Sequence, residues 1–276
     1  MTTKQYFLPQ SAAEAVQLLA EYGPSLLIMA GGTIAMPLIN EGISFPERVM
    51  GLRQAGLSGV VQANGHVAVG ACTTLSQVMA WGEIPALREA ARSVGAWAIR
   101  NMGTVGGNLF APPPAGDLAV MLLALDAQVK LVSVGGERLV PLADFYTGFL
   151  ATVLEPGELV TAIQVPLPQG KTVFRKFGRR QTNTPAVVTV AAHVVLAGHT
   201  VRDARIALGA VGPHPLRSRQ AEASLIGATL DDEAIAQAAA LAAEECQPGS
   251  DPIASEWYRR KMTAVMVRHA LQQIAN

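Results

Sequence analysis

Two short stretches of the chain carry residue types suited to holding an anionic ligand. Ala30-Gly31-Gly32-Thr33 and Thr104-Val105-Gly106-Gly107-Asn108 each join a glycine pair to polar side chains. Without a Cβ, paired glycines let the backbone take positive φ, approach a phosphate closely and converge N–H groups on it. Two such loops suit one pyrophosphate gripped from two sides. Thr33, Thr104 and Asn108 add hydroxyl and amide groups able to hydrogen-bond phosphate oxygens or a ring edge. Taken alone, either pair also suits an ordinary turn.

Other ligand chemistries lack their residues. No G-x-G-x-x-G follows the first strand and no G-x-x-x-x-G-K-[ST] occurs, so a Rossmann domain and a P-loop are both disfavoured. What remains is a nucleotide held by neutral loops, largely through backbone. Cys72 and Cys246 are far apart with no C-x-x-C spacing, and the five histidines give no H-x-x-x-H pair. Metal chemistry in a working complex is therefore expected on other chains.

The elements that position these loops follow from hydrophobic period and capping residues. Ser11-Ala12-Ala13-Glu14 is a capping box opening a helix that ends at Gly23. Leu26 to Met29 has strand length and stops at the first glycine loop, after which Ile34 to Ile39 reads as a helix. Residues 59–70 alternate into a hairpin around Asn64-Gly65, Thr73 or Thr74 caps the next helix, and another runs through Leu87 to Val94. The stretch 100–108 reads as too polar for core. Leu118 to Leu125 reads as a buried helix, and Val129 to Val134 as a strand entering a hairpin at Gly135-Gly136. Beyond Pro166 and Pro168, Val188, Val190, Ala192, Val194 and Leu196 share one strand face, with Thr189 and His193 on the other. Arg205 to Val211 is a further strand, and two helices, from Asp231-Asp232 to Cys246 and from Ser255 to about Ile274, complete an α+β order. The lobe boundary falls near residue 170.

Lys plus Arg and Asp plus Glu both total 21, so no net field attracts nucleic acid or an anionic membrane. Half the residues are hydrophobic and 15% are charged, which fits either a dense core or burial against partner subunits. No apolar stretch approaches the roughly 20 residues that span a bilayer, and Met1 to Tyr6 lacks the order of a secretory signal, so the expected location is the cytoplasm.

The two glycine stretches also carry a family likeness. Ala30-Gly31-Gly32-Thr33 and Ile99-Arg100-Asn101-Met102-Gly103-Thr104-Val105-Gly106-Gly107-Asn108-Leu109, with Pro114 and Asp117 following, resemble the flavin signatures of the molybdenum hydroxylase medium subunits. Carbon monoxide dehydrogenase and xanthine dehydrogenase belong to that family. The resemblance continues through Val69-Gly70-Ala71-Cys72-Thr73-Thr74, Lys176, Arg179-Arg180 and Ala254-Ser255-Glu256-Trp257-Tyr258-Arg259-Arg260, collinear over nearly the whole chain.

The resemblance implies a vanillyl-alcohol-oxidase (PCMH)-type FAD-binding domain of two α/β subdomains over residues 1–170. A carbon monoxide dehydrogenase flavoprotein-like domain of antiparallel strands followed by helices would then occupy 171–276. It implies that Ala30, Gly31, Gly32, Thr33, Ile34, Thr104, Val105, Gly106, Gly107 and Asn108 surround FAD, that Asp117 accepts from the adenosine ribose and that Lys176 lies near the flavin. It further implies a small iron–sulfur subunit and a large molybdenum-cofactor subunit, in a heterotrimer or a dimer of heterotrimers, with FAD passing electrons from the clusters to an acceptor. A free-standing flavin reductase or oxidase and a cofactor-free scaffold are the competing functions. Two positions depart from the family pattern: Ile34, where many relatives have a polar residue, and Asn183-Thr184, where some have an aromatic pair.

Overall fold

The computed structural model describes residues 3–113, 115–181 and 183–276. Pro114 lies outside them. The chain begins with β1 (Gln5–Phe7) and then α1 (Ala12–Tyr22), which the Ser11 hydroxyl caps by accepting from Glu14 N–H and Gly23 closes at φ +53°. The Glu14 carboxylate accepts from Gln10 N–H and not from Ser11, so the expected capping box is displaced by one residue. β2 (Leu26–Met29), α2 (Ala35–Asn40) and β3 (Arg48–Gly51) complete a parallel sheet of order β1-β3-β2. The loop between β2 and α2 is the first glycine motif.

The second sheet is antiparallel. Asn64 and Gly65, at φ +52° and +77°, turn β4 (Val60–Ala63) into β5 (His66–Gly70), the left-handed pair that a type I′ hairpin needs. Five helices follow, α3 (Leu75–Trp81), α4 (Pro85–Ser93), α5 (Trp97–Met102), α6 (Val105–Leu109) and α7 (Asp117–Ala124). Next come β6 (Gln128–Ser133), β7 (Gly136–Pro141), the short ribbon of β8 (Tyr146–Gly148) and β9 (Ala151–Thr152), and β10 (Leu159–Pro166). The strand order is β4-β5-β10-β6-β7, with β10 inserted between strands distant in sequence.

The third sheet, β11 (Lys171–Gly178), β12 (Ala186–Ala197), β13 (Thr200–Gly209) and β14 (Leu216–Arg217), is an antiparallel meander followed by α8 (Arg219–Leu225), α9 (Asp232–Glu245) and α10 (Glu256–Ala275). Val188, Val190, Ala192 and Val194 face a core shared with α9 and α10, as their spacing predicts. The opposite face is covered too, because α7 packs against β12 and β13. Every residue of α7 is buried. Fully burying each of Leu118, Val120, Met121, Leu122 and Leu123 contributes roughly 1.5–3 kcal/mol, so α7 binds the second and third sheets together. Gly209 permits the close packing, since a Cβ there would lie 2.4 Å from Val120 Cγ2.

The stretch 100–108 is not the polar surface loop that its composition suggests. It folds as parts of α5 and α6, with Thr104 buried as the cap of α6 and Asn108 buried with its Oδ1 accepting from Ala119 N–H of α7. Among the described residues no helix is long and apolar enough to cross a membrane.

Candidate functional site

The two glycine motifs meet. A Cβ on Gly31 would sit 1.9 Å from Met102 O, so the first loop lies directly on the end of α5 that leads into the second motif. Gly32 has φ +73°, the left-handed conformation expected of such a loop. Among the described residues the N–H groups of Gly31, Gly32, Thr33 and Ile34 donate to no protein acceptor, and the Thr33 hydroxyl has no partner either. These are donors available to a ligand.

The second motif is built differently. Val105 N–H donates to Thr73 O at 2.9 Å, Gly106 N–H to Ala71 O at 2.8 Å and Asn108 N–H to Thr104 O at 3.0 Å. Gly107 N–H donates to the Thr104 hydroxyl, which caps α6. The expectation that this loop converges free N–H groups at positive φ is therefore corrected: neither Gly106 nor Gly107 is left-handed, and their donors are consumed by the fold. The glycines are needed for space. A Cβ on Gly106 would lie 2.9 Å from Ala71 O, whereas a Cβ on Gly107 would meet only Thr104 Oγ1, at 3.0 Å, and otherwise extend into open space.

Both motifs wall a single cleft of about 1300 Å³. Ala30, Gly31, Gly32, Thr33, Ile34, Thr104, Gly106, Gly107, Asn108, Asp117 and Lys176 all line it. Val105 does not line it, because its side chain belongs to the hydrophobic core. Asn183, at φ +47°, and Thr184 also border the cleft. Sequence reasoning missed Phe45 and Phe110, whose rings border it while 58% and 43% exposed. Lone aromatics in loop segments, outside any apolar period, were the available signal.

The polar wall is anchored through α7. Asn108 Oδ1 accepts from Ala119 N–H at 3.1 Å in the first turn of that helix. Asp117, the first helical residue, is 4% exposed; Lys176 Nζ donates to its Oδ2 at 2.6 Å and the Thr189 hydroxyl donates to its Oδ1 at 2.8 Å. Burial pushes the Asp117 carboxyl up, and the Lys176 ammonium and Thr189 hydroxyl pull it back. Lys176 Nζ also donates to Ser93 O of α4. Two further carboxylates on the cleft have cations of their own, Glu158 with Arg138 and Glu47 with Lys4. Cys72 borders the cleft as well, and burial pushes its thiol up to about 11.

Residues 2–168 match the family described as the FAD binding domain in molybdopterin dehydrogenase, and residues 172–274 match the CO dehydrogenase flavoprotein C-terminal domain. The chain belongs to the FAD-binding medium subunits of the molybdenum hydroxylases. It is 33% identical to the glyceraldehyde dehydrogenase medium chain of Sulfolobus acidocaldarius, covering 98% of each chain. Its identity to the carbon monoxide dehydrogenase medium chain of Afipia carboxidovorans is also 33%, covering 97% of this chain and 95% of that one. A solved Cu,Mo-CO dehydrogenase in its cyanide-inactivated form superposes with a TM-score of 0.94 at 32% identity, over 100% of this chain and 99% of that chain. Like these relatives, this medium subunit is an oxidoreductase component, with the PCMH-type fold followed by the flavoprotein C-terminal domain.

The cleft fits FAD on its own geometry. It is long enough to run past both motifs, supplies unpartnered N–H donors at Gly31 to Ile34, and leaves open the space that a Gly107 side chain would fill.

Several family-signature arginines serve the fold. Arg100 donates to the carbonyls of Arg92, Val94 and Gly95 at the end of α4, and Arg179 to those of Pro252 and Ile253. Arg259, 2% exposed, donates to Ala186 O, Val187 O and Ala210 O and pairs with Asp251.

Proposed function

We propose that this chain relays electrons within a molybdenum hydroxylase, between iron–sulfur clusters of a small subunit and an external acceptor, with substrate oxidised at a molybdenum cofactor on a large subunit. The assembly is a heterotrimer or a dimer of heterotrimers in the cytoplasm. The observation that carries this reading is the end-to-end likeness, both domains included, to proteins named as medium chains. When bound, FAD supplies the exchange between two-electron and one-electron carriers.

Residues 1–170 are proposed to hold the cofactor and 171–276 to close the wall that carries Asp117. The N–H groups of Gly31, Gly32, Thr33 and Ile34 bind the pyrophosphate, and Ala30 leads the chain into that turn. Thr104, Gly106 and Gly107 form a surface close enough to exclude water from it. Asn108 uses Oδ1 on Ala119 and so presents its NH2 group to the ligand. Asp117 keeps lone pairs for a ribose hydroxyl after its two protein bonds, and Lys176, already paired, orients that carboxylate.

The test is to purify the native complex, measure its iron and molybdenum, and follow flavin bleaching on substrate addition with and without the partner chains. Bleaching is expected only with the partners present. Full substrate-driven reduction of the isolated chain, free of metal, refutes the relay and favours a free-standing flavoenzyme.

A further inference from the structure

Lys176 and Thr189 are cross-strand partners in the β11–β12 ladder, and Thr189 is in turn opposite Gly209 on β13. Side chains paired in this way stand about 4.5–5.5 Å apart on one face of a sheet. All three positions face α7: the ammonium and the hydroxyl take one oxygen each of Asp117, and Gly209 leaves room for Val120. Thr189 is 1% exposed and does not line the cleft. Neither its residue type nor its place in an apolar strand marks it as functional.

We propose that Thr189 is a positioning residue for the cofactor site: its hydroxyl, side by side with Lys176, fixes the Asp117 carboxylate at the start of α7, and so fixes the cleft wall that α7 shares with Asn108. A carboxylate held by Lys176 alone keeps one oxygen free to rotate. Thr189 removes that freedom and favours the ionised form, because a hydroxyl donor stabilises the anion. The groups facing Asp117 are few. Lys176 comes from β11 and Thr189 from β12, while α4 contributes the Ser93 carbonyl through Lys176. Asn108 of α6 and Gly209 of β13 are neutral, and Arg217 of β14 meets Asp126 beyond the far end of α7, at 3.7 Å.

The sign of the pH effect follows. Burial already raises Asp117, and removal of the Thr189 donor raises it further. Protonated Asp117 releases Lys176 and loosens the start of α7, so FAD affinity falls as pH falls, and in Thr189→Val the fall begins at higher pH.

The test is FAD titration of the full chain stripped of flavin, from pH 5.5 to 8.5, for wild type, Thr189→Val and Thr189→Ser, with thermal unfolding of each. Thr189→Val is expected to bind FAD about tenfold more weakly near neutral pH, since one hydrogen bond to a charged group is lost. Its affinity profile should be displaced upward in pH, while Thr189→Ser restores both. In an Asp117→Ala background, where no acceptor remains for the Thr189 hydroxyl, Thr189→Val should add less than about twofold, which keeps the test informative if the single valine variant does not fold. Wild-type affinity and profile in a folded Thr189→Val overturn the proposal, as do equal losses in the valine and serine variants or additive losses in the Asp117→Ala background. The proposal rests on the FAD-holding role and not on the relay, so a failure to find metal-bearing partners leaves it standing; wild type that binds no FAD overturns both.

Discussion

Gly31→Ala and Gly107→Ala should have opposite signatures, although both change one glycine of a Gly-Gly pair to the smallest side chain. The Gly31 Cβ would stand 1.9 Å from Met102 O, a backbone atom, and 3.2 Å from Gly103 Cα, so no side-chain rotation relieves the contact. The first loop and the end of α5 must separate. Overpacking of this kind costs about 1–3 kcal/mol, which for a chain of this size lowers Tm by about 2–12 °C. The Gly107 Cβ meets only Thr104 Oγ1, at 3.0 Å, on a helical residue, where alanine is favoured over glycine by up to about 1 kcal/mol. Stability should therefore be kept or slightly raised, while the methyl group occupies cofactor space and flavin retention drops. Differential scanning calorimetry of the stripped proteins separates folding from binding, and fluorescence titration with FAD measures the latter. A wild-type Tm in Gly31→Ala refutes the close approach of the two motifs. Undiminished flavin retention in a folded Gly107→Ala refutes the assignment of that α6 face to the cofactor.

Arg259→Lys should destabilise the chain by more than about 2 kcal/mol in urea unfolding, with no direct effect on the cleft, because an ammonium cannot span three carbonyls and the Asp251 carboxylate as the guanidinium fork does. FAD affinity should change by less than about threefold between roughly 0.05 and 0.5 M salt, because the cleft's one lining cation among the described residues, Lys176, is already neutralised by Asp117. Isothermal titration across that range decides it, and a steep loss of affinity with salt points to an uncompensated cation at the pyrophosphate.

The sequence patterns that proved legible are local ones. The Asn64-Gly65 hairpin, the buried run at α7 and the caps at Ser11, Thr74, Asp231 and Ser255 are encoded within a few residues of where they act. β10 escaped notice as a strand because its alternation is completed by β5 and β6, with Ile163 opposite Val69 and Val129. β11 is legible only as a strand end at Lys176, because Lys171, Arg175 and Lys176 mask its apolar face, and α8 is not, its Ser218 placing its hydroxyl on Glu245 and making no cap bond to its own helix. At the site, the glycines were legible as a pattern and their reasons were not. Gly31 is set by a carbonyl at Met102 and Gly106 by Ala71, contacts that no spacing rule contains.

In the proposed site, a cofactor held with no free lining cation among the described residues would depend on more of the chain than its two loops. A phosphate bound by lysine tolerates small displacements, since a point charge acts over several ångströms. The N–H donors proposed at Gly31 to Ile34 act only over a narrow range of distance and angle, so on that reading affinity depends on how rigidly the opposite wall is held. That wall is Thr104 to Asn108 and the start of α7. Asn108 ties it to α7 through Ala119, and α7 is held in turn by Lys176, Thr189 and the Gly209 gap of the C-terminal sheet. On that reading the cleft and the buried junction are two parts of one solution, in which placement of backbone donors takes the part that charge takes elsewhere.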